Sequence, residues 1–146
     1  MSDIADLFRH RITLRVEYHE TDGQRRVHHS NFVNYFERAR VEMLRAAGLS
    51  YRDFEDAGQM LVVTELNLRY VGSAQFDDVL TVEVEATDVG KVRIKHRYRV
   101  TCEGGLITEG DSTIACINRE GRLSKLPEVF WKTWRQREVE AIKATK

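Results

Sequence analysis

Between Arg11 and Ala47 the spacing of apolar residues changes once, from every second position to every third or fourth. Over residues 11–19, Ile12, Leu14, Val16 and Tyr18 alternate with Arg11, Thr13, Arg15, Glu17 and His19, the period of a strand with one buried face. From about Ser30 to Ala47, Phe32, Tyr35, Phe36, Ala39 and Met43 share one stripe of a helix, and Glu37, Arg38, Glu42 and Arg45 lie largely off it. Gly48 then ends the helix, as a residue tolerant of left-handed backbone does. A helix of roughly 18 residues is about 27 Å long, enough to cross the face of a sheet.

The rest of the chain offers no second long helix before its end. Ser50 is placed to cap a short helix over Tyr51–Ala57. Strand patterns follow at 60–71 (Leu66, Leu68, Tyr70), 79–87 (Leu80, Val82, Val84, Ala86) and 91–102 (Val92, Ile94, His96, Tyr98, Val100). Matching buried faces predicts a hairpin with loop Asp88-Val89-Gly90, Thr87 opposite Lys91, and Gly90 in left-handed conformation. That register sets Glu85 against Arg93 and Glu83 against Lys95, and leaves Arg97 and Arg99 free for a phosphate. Gly104-Gly105 reads as the next turn, and Leu106 to Asn118 as a strand whose buried phase shifts near Gly110, which suggests a bulge there. Arg119-Glu120-Gly121 and Pro127 lead to a final helix with Phe130, Trp131 and Trp134, frayed from Ala141 to Lys146. One long helix against an antiparallel sheet predicts an α+β fold in which the curled sheet wraps around that helix.

Composition excludes several classes. One hundred and forty-six residues with 42% apolar content suit a single domain, residues 1–146. Twenty-three basic residues balance 23 acidic ones, so no net field draws in nucleic acid or an anionic membrane. Cys102 and Cys116 have no C-x-x-C partner and read as core residues, not as zinc or redox ligands. No stretch is long and apolar enough for a signal peptide or a membrane span, so no membrane insertion is expected and the location expected is cytoplasmic.

The chemistry concentrates at the junction of the first strand and the long helix, Tyr18 to Arg40. A helix start offers backbone N–H groups without intrahelical partners and a partial positive charge, which attract an anion or a polarised carbonyl oxygen. Asp22 and His29 lie just before that start. Thr21-Asp22-Gly23 is also a good turn, in which Asp hydrogen-bonds its own backbone. His29 is placed to orient Asp22, to donate to a substrate, or to cap the helix, and spacing does not separate these. His28 reads as solvent-facing and Glu37 as paired with Arg40 or a strand residue. Phe32, Tyr35 and Phe36 sit at core spacing.

With Tyr18-x3-Asp22-x6-His29 running into Asn31 and Glu37-Arg38-Ala39-Arg40, the chain resembles the hot-dog-fold acyl-CoA thioesterases of the 4-hydroxybenzoyl-CoA thioesterase and YbgC type. The similarity runs from about residue 11 to Pro127 and includes LRYVGSAQFDDVLTVEVE and GDSTIACINREGR. It implies a hot-dog fold of about five strands and hydrolysis of acyl-CoA, or acyl-carrier-protein, thioesters. Asp22 would be the catalytic carboxylate, His29 the histidine at the helix start with an oxyanion-donating amide at or near it, and Tyr18 the residue that ends the first strand and helps hold the acid. Asn31, Phe32 and Phe36 would contact substrate. The resemblance also implies homodimers joined edge to edge, often paired into tetramers, with the active site at a subunit boundary. Two departures stand out: Gly23-Gln24-Arg25-Arg26 is long-limbed and cationic where relatives have a small apolar turn, and Ser73 stands where proline is common.

A thioester is already activated towards acyl transfer, so a base or nucleophile and an oxyanion donor suffice and no metal or other cofactor is expected beyond the substrate's own coenzyme A. The alternatives are a non-catalytic acyl-CoA-binding module of the same fold and an acyl-thioester hydratase.

Overall fold

The computed structural model describes residues 6–145. In chain order it contains β1 (Arg9–Arg15), a 3₁₀ turn (Tyr18–Glu20), α1 (Asn31–Ala46), α2 (Tyr51–Asp56), β2 (Met60–Tyr70), β3 (Val79–Val89), β4 (Arg93–Cys102), β5 (Gly105–Ile117) and α3 (Glu128–Ala144). The five strands form one antiparallel sheet in the order β1-β3-β4-β5-β2. The inward residues of β1 and β3 (Leu14, Leu80, Val82, Val84), with Tyr98 and Val100 of β4, close on the Phe32, Tyr35, Phe36, Ala39 and Met43 stripe of α1. Each Leu, Val, Phe and Met side chain among them contributes on the order of 1.5–3 kcal/mol by leaving water. The expected curled sheet around one helix is therefore the fold. A second apolar cluster at the other end of α1 gathers Leu7, Phe8, Leu44, Ile94, Cys116 and Phe130, with Trp131 and Trp134 of α3 packed against it. No helix among the described residues is long and apolar enough to cross a membrane.

Gly48 ends α1 as expected, at φ 81°, with the Leu49 amide reaching back to the Leu44 carbonyl at 2.8 Å. Cys116 is buried, Cys102 is half-buried, and both are free thiols.

Several local expectations need correction. β1 spans Arg9–Arg15, so Tyr18 falls outside the strand and is 76% exposed. The β3–β4 register pairs Glu85 with Arg97 and Glu83 with Arg99, and it shifts by one residue between Ala86 and Asp88. β3 continues to Val89, and Gly90 is not left-handed. Arg97 is thus ion-paired with Glu85 and is not free for a phosphate. The loop between β4 and β5 is Glu103-Gly104, both at positive φ, with Gly105 already in the strand. No bulge lies at Gly110; the extra residues are Ile107, where the β4–β5 register shifts, and Thr64 on β2. Gly110 serves close approach instead, because a Cβ there would lie 2.4 Å from the Asn67 carbonyl oxygen and 2.9 Å from a Phe36 ring carbon. The C-terminal segment expected as frayed is helical to Ala144, and Lys146 lies outside the described residues.

Arg40 corrects another expectation. Glu37 is exposed and forms no ion pair among the described residues, whereas Arg40 shares the buried face of α1 with Phe36 and is only 7% exposed. Its Nη1 donates to the Tyr98 hydroxyl at 3.0 Å, and that hydroxyl lies 2.6 Å from Ser112 Oγ.

Candidate active site

A short hairpin shapes the segment between β1 and α1. Thr21 pairs with Val27, the Asp22 amide donates to the Arg26 carbonyl at 2.9 Å, and the His28 amide donates to the Glu20 carbonyl at 2.8 Å. Across the loop Gly23-Gln24-Arg25, the Arg25 amide donates to the Asp22 carbonyl at 2.9 Å, and Arg25 has φ 65°. This is the three-residue hairpin in which a tight turn is followed by a left-handed residue.

Asp22 builds that turn with one carboxylate oxygen. Its Oδ1 accepts from the Gln24 amide at 2.8 Å and, more weakly, from the Arg26 amide at 3.5 Å. Its Oδ2 makes no hydrogen bond among the described residues, and the side chain is exposed. The turn role of Asp22 thus leaves an oxygen available. Because Asp22 is level with Arg26 in the hairpin, His29 lies three residues further along, although seven separate them in sequence.

His29 is exposed, its ring 4.1 Å from that of His28 and edge-on to Tyr70 at 6.2 Å. The Tyr70 hydroxyl donates to the His29 carbonyl at 3.2 Å. Capping falls to His28, whose Nδ1 accepts from the Ser30 amide at 3.2 Å and lies 2.8 Å from Ser30 Oγ. The Asn31 amide donates to the His28 carbonyl at 2.9 Å and the Phe32 amide to the His29 carbonyl at 3.4 Å. The His29 amide itself makes no hydrogen bond among the described residues. It is a free donor at the positive end of α1.

The remaining candidates divide between scaffold and surface. Asn31 Nδ2 donates to the Glu20 carbonyl at 2.9 Å, which ties the helix start to the 3₁₀ turn. Phe32 is buried edge-on to Tyr35 and Tyr70, and Phe36 is fully buried, stacked on Tyr98 at 4.3 Å. Both occupy the core. Tyr18 packs edge-on to Phe76 at 5.5 Å, and the two wall an open cleft of about 380 Å³ with Arg38 and Asp77. The hydrogen bonds that hold the Asp22 side chain come from the backbone of Gln24 and Arg26.

Sequence reasoning missed Glu20 and Tyr70. Glu20 Oε1 accepts from the Tyr35 hydroxyl at 3.0 Å and from the Glu17 amide at 2.8 Å, while its carbonyl takes the Asn31 and His28 donors. Burial first, and then the Glu20 carboxylate, push the Tyr35 hydroxyl above the ordinary tyrosine range, so it stays a donor. Neither contact has a signal at fixed spacing, since both are tertiary. Among the described residues, Glu17, His19 and Glu20 are the one grouping with metal-ligand proximity, and Glu20 Oε1 is already engaged by Tyr35. Arg25 and Arg26 are exposed and form no ion pair among the described residues.

Comparison with known proteins bears on this geometry. Residues 16–133 match the model of the thioesterase-like superfamily, and the chain belongs to that superfamily. A putative esterase of Aquifex aeolicus is 32% identical over 114 residues, 78% of this chain and 88% of that protein. The acyl-CoA thioester hydrolase YbgC of Escherichia coli O6:H1 is 30% identical over 106 residues, 72% of this chain and 79% of its own. Among solved structures, the DHNA-CoA thioesterase of Staphylococcus aureus superposes with a TM-score of 0.81 at 26% identity, over 94% of each chain. The fold is the hot-dog fold of these thioesterases.

Proposed function

We propose that the protein hydrolyses acyl-CoA thioesters to free acid and thiol, with Asp22 as general base or nucleophile and the His29 amide as donor to the carbonyl oxygen. One observation carries this reading: the hairpin that leads into α1 holds Asp22 with an unengaged carboxylate oxygen, and the His29 amide, in the turn three residues beyond Arg26, makes no hydrogen bond among the described residues. An oriented donor of this kind typically contributes about 10²- to 10³-fold, and a positioned carboxylate base about 10²- to 10⁴-fold. Superfamily membership and the acyl-CoA thioester hydrolase among the relatives support the reaction class.

In this reading Asp22 either takes a proton from water attacking the carbonyl carbon, the C–S bond breaking to release acid and thiol, or attacks that carbon itself to form a mixed anhydride with loss of the thiolate, after which water cleaves the anhydride to release the acid and restore the carboxylate. Negative charge gathers on the carbonyl oxygen beside the His29 amide, whose peptide neighbourhood is fixed by Tyr70, His28 and the Glu20 contacts. No metal or added cofactor is needed. The exposure of Asp22 and His29 on a single chain supports a site completed by a second copy. The edge strand β2, with Val63 and Tyr70 about half exposed, supports a homodimer or homotetramer. Carrier-protein thioesters and a cytoplasmic location fit the same reading.

Asp22→Asn tests it. Asparagine keeps an Oδ1 acceptor for the Gln24 amide, so the melting temperature should hold while kcat falls at least about a hundredfold across short, long and aromatic acyl-CoAs. Undiminished turnover would remove Asp22 from the mechanism. Tight acyl-CoA binding by the wild type with no thiol released over hours would favour the non-catalytic binding module.

A further inference from the structure

Arg25 occupies a backbone position that favours glycine. The hairpin closed by Asp22 and Arg26 needs a left-handed residue after its turn, and Arg25 takes that place at φ 65°. A residue with a Cβ is strained there and glycine is not. Strained backbone of this kind is found at functional sites; Asp77 and Glu103 share it, and Arg25 is the one of the three that lies in the Asp22 hairpin, where a task for its side chain is to be sought. The fold supplies no such task, because the Arg25 side chain is exposed and has no hydrogen bond or ion pair among the described residues. The same holds for Arg26. Arg9, Arg45, Arg69, Arg97 and Arg137 each meet a carboxylate; Arg25 and Arg26, like Arg11, Arg38, Arg52, Arg93, Arg99 and Arg122, do not among the described residues, and of these Arg25 and Arg26 are the two in the Asp22 hairpin. With the chain neutral overall, these two cations form a local field and not part of a basic surface.

Their backbone is firmly placed. Arg25 is held by its bond to the Asp22 carbonyl, and Arg26 by Asp22 on one side and by a bridge to Gln75 on the other. The turn keeps the Cα atoms of Asp22 and Arg25 within about 7 Å, so an extended arginine side chain covers the surroundings of any carbonyl attacked by Asp22. The phosphates of coenzyme A lie a whole pantetheine arm away from the sulfur. Of the two ends of the substrate, the acyl group and not the nucleotide is therefore the one within range of an arginine in this turn.

Resting on the reading of Asp22 as the reacting carboxylate, we propose that Arg25, with Arg26 beside it, selects acyl groups that carry a carboxylate of their own, as in CoA esters of dicarboxylic acids. A guanidinium binds a carboxylate through two parallel hydrogen bonds, and a neutral chain end of equal length offers nothing in return.

The test compares glutaryl and pentanoyl thioesters, equal in chain length and different in charge, each on coenzyme A and on N-acetylcysteamine, which has no phosphate. In Arg25→Gly, and further in Arg25→Gly with Arg26→Val, the glutaryl-to-pentanoyl ratio of kcat/KM should fall about tenfold on both carriers, the usual worth of one charge-assisted contact. The melting temperature of Arg25→Gly should rise by about 2–4 °C as left-handed strain is relieved. Arg25→Glu should reverse the preference. An unchanged ratio overturns the proposal. So does an equal loss for both acyl groups on coenzyme A with none on N-acetylcysteamine, which would mean that the arginines read phosphate, and so does an unchanged ratio with altered sedimentation, which would mean that they pair with a second copy. Binding of non-hydrolysable carboxylated and neutral CoA thioethers by calorimetry gives the same ratio without turnover. Charge-dependent binding without hydrolysis by the wild type would sink the assigned reaction and keep the selectivity; hydrolysis without charge dependence would do the opposite.

Discussion

The hydroxyl of Tyr98 accepts a 3.0 Å hydrogen bond from Nη1 of the buried Arg40 and lies 2.6 Å from Ser112 Oγ, so a strand residue meets a helix cation with no carboxylate involved, while Arg40 Nε stays buried without a partner among the described residues. The Tyr98 ring also stacks on Phe36, one helical turn before Arg40, with planes 5° from parallel. One strand side chain thereby fixes two successive turns of α1 against the sheet. Tyr98→Phe keeps the stacking and removes the acceptor. It should cost about 2–3 kcal/mol, the penalty of a charged donor left unpaired, as read by urea unfolding with an unchanged m-value.

His96 lies beside this pair and predicts an acid limb of stability. Burial first, and then the neighbouring Arg40 charge, lower its pKa from the ordinary 6.5 to about 3. The folded state holds this imidazole neutral, while the unfolded chain takes up a proton below about pH 6.5. Its contribution is therefore fully present above pH 6.5 and is lost progressively as pH falls towards 3. Between pH 7 and pH 5 the loss from this group should be about 2 kcal/mol. His96→Leu should flatten that part of the stability curve, and an unchanged slope would show that His96 is not the group responsible.

Gly110 predicts a packing defect. A methyl at this position meets the Asn67 carbonyl oxygen at 2.4 Å and the Phe36 ring at 2.9 Å, and the oxygen is backbone in a paired strand. Gly110→Ala should destabilise by about 1–3 kcal/mol through overpacking, measured by denaturant titration. The double variant with Phe36→Leu should recover part of the loss, since it removes one of the two obstructions.

How much was legible in the sequence depends on how far each feature reaches. The order of elements and the buried stripe of α1 follow from periodicity, because Phe32, Tyr35, Phe36, Ala39 and Met43 repeat at helical spacing. The β3–β4 register did not follow. Arg93, Lys95, Arg97 and Arg99 recur at every second residue, so sliding β4 by two or four positions keeps both the faces and the charge pairs. The shift after Ala86 has no sequence mark either. Gly110 is visible as a glycine, yet its reason is a ring from another element. At the candidate site, the turn chemistry of Asp22 was legible. Glu20 was not, because a glutamate in a polar stretch gives no hint that Tyr35, Asn31 and His28 all converge on it. Arg40 was expected to face Glu37, but the face it shares with Phe36 carries it inward.

The extra residue in β2 at Thr64 changes what this open sheet edge offers to a passing strand. A straight, regular border of eleven residues would accept neighbours in many offsets and invite endless stacking. An insertion makes the border bend and twist, so it is a poorer template for an added strand. Indiscriminate strand addition along this margin is thereby discouraged.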